Sequence, residues 1–228
     1  MPKLYVVATP IGNLEDITFR AIKTLKDAEL LIVEDKRRTA ILLNKYDIGK
    51  KKMIPIAERS PRKKIDRIME MIKQVDISCL LSDAGMPVVS DPGRAIVERC
   101  WEEGIEVDVV PGPSAVISAI AASGFQGSKF SFLGFLPRGK KRRRLLKDKL
   151  LWSEETVVFF ESPNRLLETL RDILDIVGDI EVFIAREMTK IHQEFFKGKI
   201  SEAMEHYSEG VKGEITVVIE KKGKGGKG

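Results

Sequence analysis

Short, continuous apolar runs alternate along this chain with segments in which apolar residues recur at helical spacing. The runs LYVVAT (4–9) and LLIV (30–33) show no polar alternation, which is typical of strands covered on both faces. Strands that alternate with helices predict a mostly parallel sheet. In the first half, we predict strands over residues 4–9, 29–34, 53–57, 76–82 and 106–110, and helices over 16–27, 37–46, 61–74, 92–103 and 113–123.

The same pattern restarts after Gly124. Residues 122–129 are rich in Gly and Ser and lack periodicity, so we predict a domain boundary there, with domains at 1–124 and 125–220. The Lys/Gly segment 221–228 is expected to be a flexible tail. In the second half, we predict strands over 130–136, 156–161, 181–187, 193–199 and 213–221, and helices over 163–177 and 201–208.

Three predicted helix starts carry a polar residue followed by proline. They are Ser60–Pro61, Asp91–Pro92 and Ser162–Pro163. A polar side chain at the N-cap can accept a hydrogen bond from a free N–H group in the first turn of a helix, and proline is tolerated in that turn. These pairs therefore predict capped helix N-termini.

The composition of the 228 residues is that of a globular protein. Hydrophobic residues make up 43% and charged residues 32% of the chain, and the charged excess over a typical value of about 25% is a weak sign of a thermophilic source. No run approaches the ~20 apolar residues of a membrane helix, and the opening MPKLYVV runs directly into a predicted strand. We therefore expect a soluble, cytoplasmic protein without a signal peptide.

Soft metal ligands and thiols are few. Cys79 and Cys100 are isolated in apolar surroundings, which indicates buried thiols and not a disulfide. His192 and His206 are distant from both, so no zinc site is predicted.

The positive charge is concentrated in one segment. Net charge is +5, whereas residues 138–149 alone hold eight basic residues and one acidic residue, a local charge of +7. Such a run is either a solvated face or an element that binds phosphates, and the pattern alone leaves both interpretations open.

Three loops rich in Gly, Pro and small residues follow predicted strands of the first domain. They are ATPIGNL (8–14), SDAGMPVVSDPG (82–93) and VPGPSAVISA (110–119). Ligands of open α/β sheets bind at the carboxyl ends of strands, so we predict a ligand site there, with Asp83 suited to a hydroxyl or amino group. No strand precedes a G-x-G-x-x-G motif, and GFLPRGKK (134–141) fails as a P-loop because Lys141 replaces the magnesium-binding Ser or Thr.

The second and third loops resemble the cofactor-binding core of the tetrapyrrole methylase superfamily. The chain is most similar to one branch, the ribosomal RNA small-subunit methyltransferase I family. The segments that carry this likeness are ATPIGNLEDIT (8–18), EDKRRT (34–39), GFLP (134–137), FFESPNR (159–165) and AREMTK (185–190). The resemblance implies two α/β domains, the first with a mostly parallel sheet and the second with a mixed one, and S-adenosylmethionine in a cleft between them.

The implied activity is 2′-O-methylation of a cytidine in 16S ribosomal RNA, with small-subunit RNA or the 30S subunit as partner and a homodimer as the common assembly. The chain has Ala8–Gly12 where tetrapyrrole-modifying relatives carry a glycine-rich start, which argues against a porphyrinoid substrate. It also has Lys36 where Thr is common in the RNA branch, and Ala57–Ser60 where that branch often has His and Asn. Two other functions stay open: methylation of a tetrapyrrole or a modified protein side chain, and non-catalytic binding of ribosomal RNA.

The resemblance also implies site residues. For the cofactor they are Pro10, Asp83, Met86, Ser114, Ala115, Phe160, Ala185 and Gly213. For RNA, we predict contacts from Arg37, Arg38 and Arg165, whose guanidinium groups can bind phosphate in bidentate fashion. We also predict contacts from the basic run that follows a strand leaving the cleft: Arg138, Lys140, Lys141, Arg142, Arg143 and Arg144.

Lys190 is the predicted general base. A lysine desolvated in the cleft would have its pKa lowered, and Glu187 would orient it. The alternative is a structural ion pair between Lys190 and Glu187, or a contact between Lys190 and phosphate.

Overall fold

The computed structural model describes residues 1–152 and 155–220, and the chain divides into two α/β units, Met1–Ser114 and a second unit that begins at Ala115. The predicted tail 221–228 lies outside the described residues. The first unit contains β1 (Lys3–Val7), α1 (Phe19–Asp27), β2 (Leu30–Val33), α2 (Lys36–Lys45), β3 (Lys52–Pro55), α3 (Arg62–Ile72), β4 (Ile77–Leu81), α4 (Arg94–Glu102) and β5 (Glu106–Val110).

The first sheet is parallel throughout, with strand order β3-β2-β4-β1-β5. Its two faces are covered by separate cores. Leu31 and Val33 of β2 belong to one core, whereas Leu30 and Ile32 belong to the other. Because successive side chains of a strand point to opposite faces, burial on both faces requires the continuous apolar run that the sequence shows.

The second unit contains α5 (Ala115–Ser123), β6 (Phe130–Phe135), α6 (Lys140–Trp152), β7 (Thr156–Glu161), α7 (Leu166–Val177), β8 (Glu181–Arg186), β9 (Glu194–Lys199), α8 (Ile200–His206) and β10 (Ile215–Ile219). Its sheet has the order β6-β7-β10-β8-β9. The pair β6–β7 is parallel and the other pairs are antiparallel, which confirms the predicted mixed sheet.

The division between the units falls before α5, whereas we predicted it after residue 124. The reason is packing: α5 contacts β7, β8 and β10 of the second sheet. Its buried residues include Val116, Ala119 and Ile120. An apolar helix belongs to the sheet whose face it covers, and a Gly/Ser-rich segment after it does not reveal which sheet that is.

Helix α6 was not predicted, because the dense charge of residues 138–149 hides the helical spacing of its buried positions. Two predicted caps were also wrong. Helix α3 begins at Arg62 with Pro61 at its N-cap, and α4 begins at Arg94 after Gly93, and neither N-cap side chain accepts a hydrogen bond. Ser162 stands at the N-cap of a 3-10 turn that precedes α7, with Pro163 in its first position, but its side chain accepts no capping hydrogen bond either.

Cys79 and Cys100 are buried free thiols, as predicted. No helix of the described ranges 1–152 and 155–220 is long and apolar enough to cross a lipid bilayer.

Candidate functional site

The three loops of the first unit are joined by backbone hydrogen bonds at the carboxyl edge of the sheet. The amide of Thr9 donates to the carbonyl of Gly85 at 2.9 Å, and the amide of Gly85 donates back to Thr9 at 3.0 Å. The Thr9 hydroxyl donates to the carbonyl of Ser82 at 3.1 Å, and the Ala8 amide donates to Val110 at 3.0 Å. Residues from β1, β4 and β5, which are adjacent strands, therefore form one continuous surface.

Glycine is required where these loops approach one another. Gly85 has φ +83°, and a Cβ there would lie 3.3 Å from Ile11 and 3.4 Å from the carbonyl oxygen of Pro113. A Cβ at Gly112 would lie 2.9 Å from the Cβ of Ala8. The small residues thus let backbones meet, which is the physical reason for the Gly-rich loops in the sequence.

A fourth loop, from the end of β2, is attached through Asp83. The Asp35 amide donates to Oδ1 of Asp83 at 3.0 Å, and the Asp83 amide donates to Oε2 of Glu34 at 3.2 Å. Nε of Arg38 lies 3.5 Å from Oδ2 of Asp83. Asp83 therefore positions the EDKRR segment, a role that the sequence analysis did not assign to it.

Carboxylates give this edge an acidic character. Burial raises the pKa of Asp83, and burial together with the charge of Glu34 raises the pKa of Asp91 to about 6. Val88 in the same loop has φ +77°, a strained conformation for a β-branched residue and one that clusters at ligand sites. The edge can accept hydrogen bonds from amino and hydroxyl groups of a ligand.

The structure brings together the predicted site residues of the first unit. Pro10 is buried, Asp83, Met86 and Ser114 are partly exposed, and all four lie on the joined loops. Arg37 and the rest of the EDKRR segment, at the start of α2, join them through the Asp83 contacts. Glu34 and Asp91 were missed, although Glu34 directly follows the apolar run of β2.

In the second unit, Phe160 and Ala185 flank Thr216 on neighbouring strands. Thr216 of β10 pairs with Phe160 of β7 on one side and with Ala185 of β8 on the other. Directly opposed residues share a face of the sheet. The ring of Phe160 also contacts Phe132 and Phe135, with centroids 5.0 and 5.4 Å apart. Ala115 begins α5, which covers this sheet.

Gly213 leaves room for a cluster of charged groups. It has φ +98°, and a Cβ there would lie 2.4 Å from Cγ of Glu187. Oε1 of Glu187 accepts from the amide of Glu214 at 2.8 Å and from Nζ of Lys190 at 2.9 Å. Nζ of Lys190 also lies 2.9 Å from Oε2 of Glu214.

The lowered pKa that we predicted for Lys190 is not found in this arrangement, so the structure gives no support to a general base at this position. Burial lowers the pKa of Lys190, but the hydrogen bonds with Glu187 and Glu214 outweigh it, and the pKa is raised. These contacts stabilise the charged ammonium form, which does not suit the role of a general base. The alternative of a structural ion pair with Glu187 is the one observed.

The basic run is only partly available to a ligand. Arg142 was predicted to bind phosphate, but its side chain is 2% exposed, and Nη2 pairs with Asp172 and Glu168, both at 2.6 Å. Arg143 is half exposed and pairs with Asp172 at 2.5 Å. The predicted contact between Arg142 and RNA is therefore wrong, because a phosphate cannot reach this side chain. Besides Arg143, the exposed cations of the run are Arg138, Lys140, Lys141, Arg144 and Lys147.

Arg165 positions the segment that leads into this run. Its Nη2 donates to the carbonyls of Leu136 and Pro137 at 2.7 and 3.1 Å. Its Nε lies 3.3 Å from Oε1 of the buried Glu161. A contact between Arg165 and phosphate stays a prediction.

Comparisons with known proteins place the chain in a family. Residues 3–204 match the family model "Tetrapyrrole (Corrin/Porphyrin) Methylases". The chain is 62% identical to "Ribosomal RNA small subunit methyltransferase I" of Thermotoga maritima, covering 96% of this chain and 98% of the relative. It is 44% identical to the protein of the same name from Halalkalibacterium halodurans, covering 96% of this chain and 76% of that relative.

Solved structures share the fold at low sequence identity. A diphthine synthase superimposes with a TM-score of 0.74 at 14% identity, covering 96% of this chain and 90% of that one. A uroporphyrin-III C-methyl transferase from Thermus thermophilus, complexed with S-adenosyl homocysteine, has a TM-score of 0.64 at 16% identity and coverages of 96% and 97%. With the two-unit architecture and the match along nearly the whole chain, this protein belongs to the ribosomal RNA small subunit methyltransferase I family of the tetrapyrrole methylase superfamily.

Proposed function

We propose that this protein is an S-adenosylmethionine-dependent methyltransferase of small-subunit ribosomal RNA, and that the acceptor is the 2′-hydroxyl of a cytidine. The observation that carries the proposal is the set of four loops joined at the carboxyl edge of the first sheet, in a chain 62% identical to a relative named "Ribosomal RNA small subunit methyltransferase I". The bound cofactor would supply a methyl group on a sulfonium.

The residues at this edge suit the cofactor's polar groups. The Asp83 side chain is partly exposed and its pKa is raised by burial, so a donor that replaces water there gains a hydrogen bond in a poorly solvated place. The loops are rich in glycine and small side chains, so a flat or extended ligand can lie close to their backbone. The other proposed cofactor contacts are Pro10, Met86 and Ser114 of the first unit, and Ala115, Phe160, Ala185 and Gly213 of the second.

The partner that we propose is small-subunit ribosomal RNA, free or in the 30S subunit. Arg37 and Arg38 extend from the first turn of α2 and are exposed, and they adjoin the cofactor loops through Asp83. Guanidinium groups bind phosphate in bidentate geometry, which suits them to fix the RNA backbone near the edge. A homodimer is proposed as the assembly.

Cofactor binding is the first test. At about 100 times its dissociation constant, S-adenosylmethionine should add roughly 2.7 kcal/mol to the free energy of unfolding. Thermal unfolding with and without the cofactor, with isothermal calorimetry as a direct check, measures this. An absence of binding by both methods would contradict the proposal at its centre.

The acceptor atom is tested with labelled cofactor. Small subunits or 16S RNA that lack the modification should incorporate label, and mapping the methyl group should place it on a ribose. An otherwise identical RNA with 2′-deoxycytidine at the target should remain unlabelled, because the nucleophile is missing. Label on the deoxy substrate means a base modification, and label on a tetrapyrrole or on protein alone means one of the other functions.

A further inference from the structure

A cavity of about 610 Å³ lies along β3 and α3 of the first unit, apart from the loops that form the candidate cofactor site. Five cationic side chains line it: Lys36 from the start of α2, Lys52 from β3, and Lys63, Lys64 and Arg67 from α3. No acidic residue is among its lining residues, all of which lie in the described part of the chain. Cations from three separate elements thus converge on one pocket.

The charge of this pocket is not neutralised within the protein. None of its five cations takes part in an ion pair with a residue of the described ranges. The acids of α3 are engaged elsewhere: Asp66 pairs with Arg99 at 2.8 Å, and Glu70 pairs with Lys73 at 2.9 Å. Helix α3 therefore carries a basic face toward the pocket and keeps its acids in separate pairs. Unpaired cations in a concave surface concentrate positive potential.

The chemistry of the lining suits a phosphodiester backbone. Between the cations the lining is aliphatic, with Ile54, Ile68 and Met71 among its members, and it contains no aromatic ring. Proteins that bind single-stranded bases stack them on aromatic side chains, which are missing from this lining. Phosphate contacts from Lys and Arg need no ring and are independent of sequence.

The pocket is also connected to the candidate site. Lys36 directly follows Asp35, whose amide donates to Asp83 in the joined loops. Strand β3 is an edge strand, since it pairs with β2 alone. An RNA strand lying along this open edge can therefore continue to the carboxyl end of the sheet, where the loops lie.

We propose that this pocket, here called the β3 pocket, binds the phosphate backbone of the ribosomal RNA substrate at a distance from the methylated nucleotide. The inference rests on the proposed function for the identity of the RNA. It adds a basic surface to the RNA contacts already proposed, which are Arg37 and Arg38 of the first unit and the exposed part of the run 138–144 in the second.

The test compares two triple variants with equal loss of charge. The pocket variant is K63Q/K64Q/R67Q, and the control is K23Q/K26Q/K45Q, which removes three exposed lysines that do not line the pocket. Dissociation constants for unmodified 16S RNA are measured over a range of potassium chloride concentrations. The salt slope is the slope of the logarithm of the binding constant against the logarithm of the salt concentration. Each lost phosphate contact should reduce its magnitude by about 0.7–0.9. The slope of the pocket variant should therefore fall by about 2, and that of the control by much less. In methylation assays, the pocket variant should have a higher KM for RNA with kcat unchanged.

Equal salt slopes for the two variants overturn the proposal. So does a pocket variant that binds free RNA normally but assembled subunits weakly, because its partner is then a ribosomal protein. Equal thermal midpoints and cofactor affinities for both variants establish that the fold is intact. If the wild-type protein transfers no methyl group to RNA, the proposed function fails, whereas the salt slopes still decide whether the pocket binds RNA.

Discussion

At the scale of single residues, the cluster of Glu187, Lys190 and Glu214 in the second unit depends on backbone conformations with positive φ, which residues other than glycine rarely adopt. Gly213, Glu187 and Thr189 have φ of +98°, +49° and +65°. For residues other than glycine such conformations cost of order 1–3 kcal/mol and are found where surrounding contacts compensate. Here the compensation is visible, because Glu187 accepts hydrogen bonds from both the Glu214 amide and Lys190.

Substitution of Gly213 by alanine should be more destabilising than the same change at a comparable glycine. Gly210 has a similar φ, +93°, but no atom lies within 4 Å of its Cβ position, whereas a Cβ at Gly213 overlaps Glu187. G210A should cost about 1–2 kcal/mol from backbone strain alone, and G213A should cost more because Glu187 must move. Urea unfolding of both variants measures the difference. Equal costs would mean that Glu187 can move freely and that the cluster is not a rigid unit.

The same cluster shows what sequence could predict of the site. The spacing in AREMTK was enough to pair Lys190 with Glu187, since both lie in one short segment. The direction of the pKa shift of Lys190 was not predictable, because it depends also on Glu214, which directly precedes β10 and is distant in sequence. Asp83 is a similar case: its position was predicted, but its contact with the Asp35 amide follows from β2 and β4 being neighbours.

At the scale of elements, α6 is the helix that the sequence analysis missed. Its buried positions are Arg142, Leu146 and Leu150, which follow helical spacing. An arginine occupies the first of them, so the apolar periodicity is broken in the sequence. The position is tolerated because α7 supplies Asp172 at 2.7 Å from Nε of Arg142. The strands, by contrast, were found readily, since burial on both faces leaves long apolar runs.

The variant R142Q should be strongly destabilised, whereas R144Q should not. Both changes remove one positive charge from the same helix, but Arg144 is exposed. Loss of Arg142 leaves the mostly buried Asp172 with a partial partner, Arg143, and breaking a buried ion pair costs about 3 kcal/mol or more. Chemical denaturation of the two variants provides the comparison. Similar midpoints would show that Arg143 alone satisfies Asp172.

At the scale of the whole molecule, basic surfaces occur in both units. The β3 pocket belongs to the first unit, and the exposed cations of the run 138–144 belong to the second. The two surfaces differ in how easily they can be found from the sequence. The run is contiguous and therefore evident in the sequence, although two of its arginines, Arg142 and Arg143, form ion pairs with Asp172. The cations of the pocket lie between Lys36 and Arg67 on three elements, α2, β3 and α3. The sequence does not show that they line one pocket, because that depends on the position of β3 at the edge of the sheet.

If the two surfaces contact different phosphates, their contributions should add. The variant K140Q/K141Q/R144Q should reduce the salt slope for RNA binding by about 2, and its combination with K63Q/K64Q/R67Q should reduce it by about 4 to 5. The measurement is the salt dependence of RNA affinity for both triple variants and the sextuple variant. A combined loss no larger than either single loss would show that both sets act on the same phosphates.

The position of β3 at the edge of its sheet has a consequence for how copies of this protein behave when crowded together. An unpaired strand edge invites a strand of another molecule to extend the sheet, and lysines and prolines on such an edge oppose this. β3 begins with the exposed Lys52 and ends at Pro55, which has no N–H to donate, and α3 places further cations beside it. The positive charge that suits this edge to a polyanion therefore also repels a second copy. Neutralising it should remove a safeguard against aggregation as well as a contact for RNA.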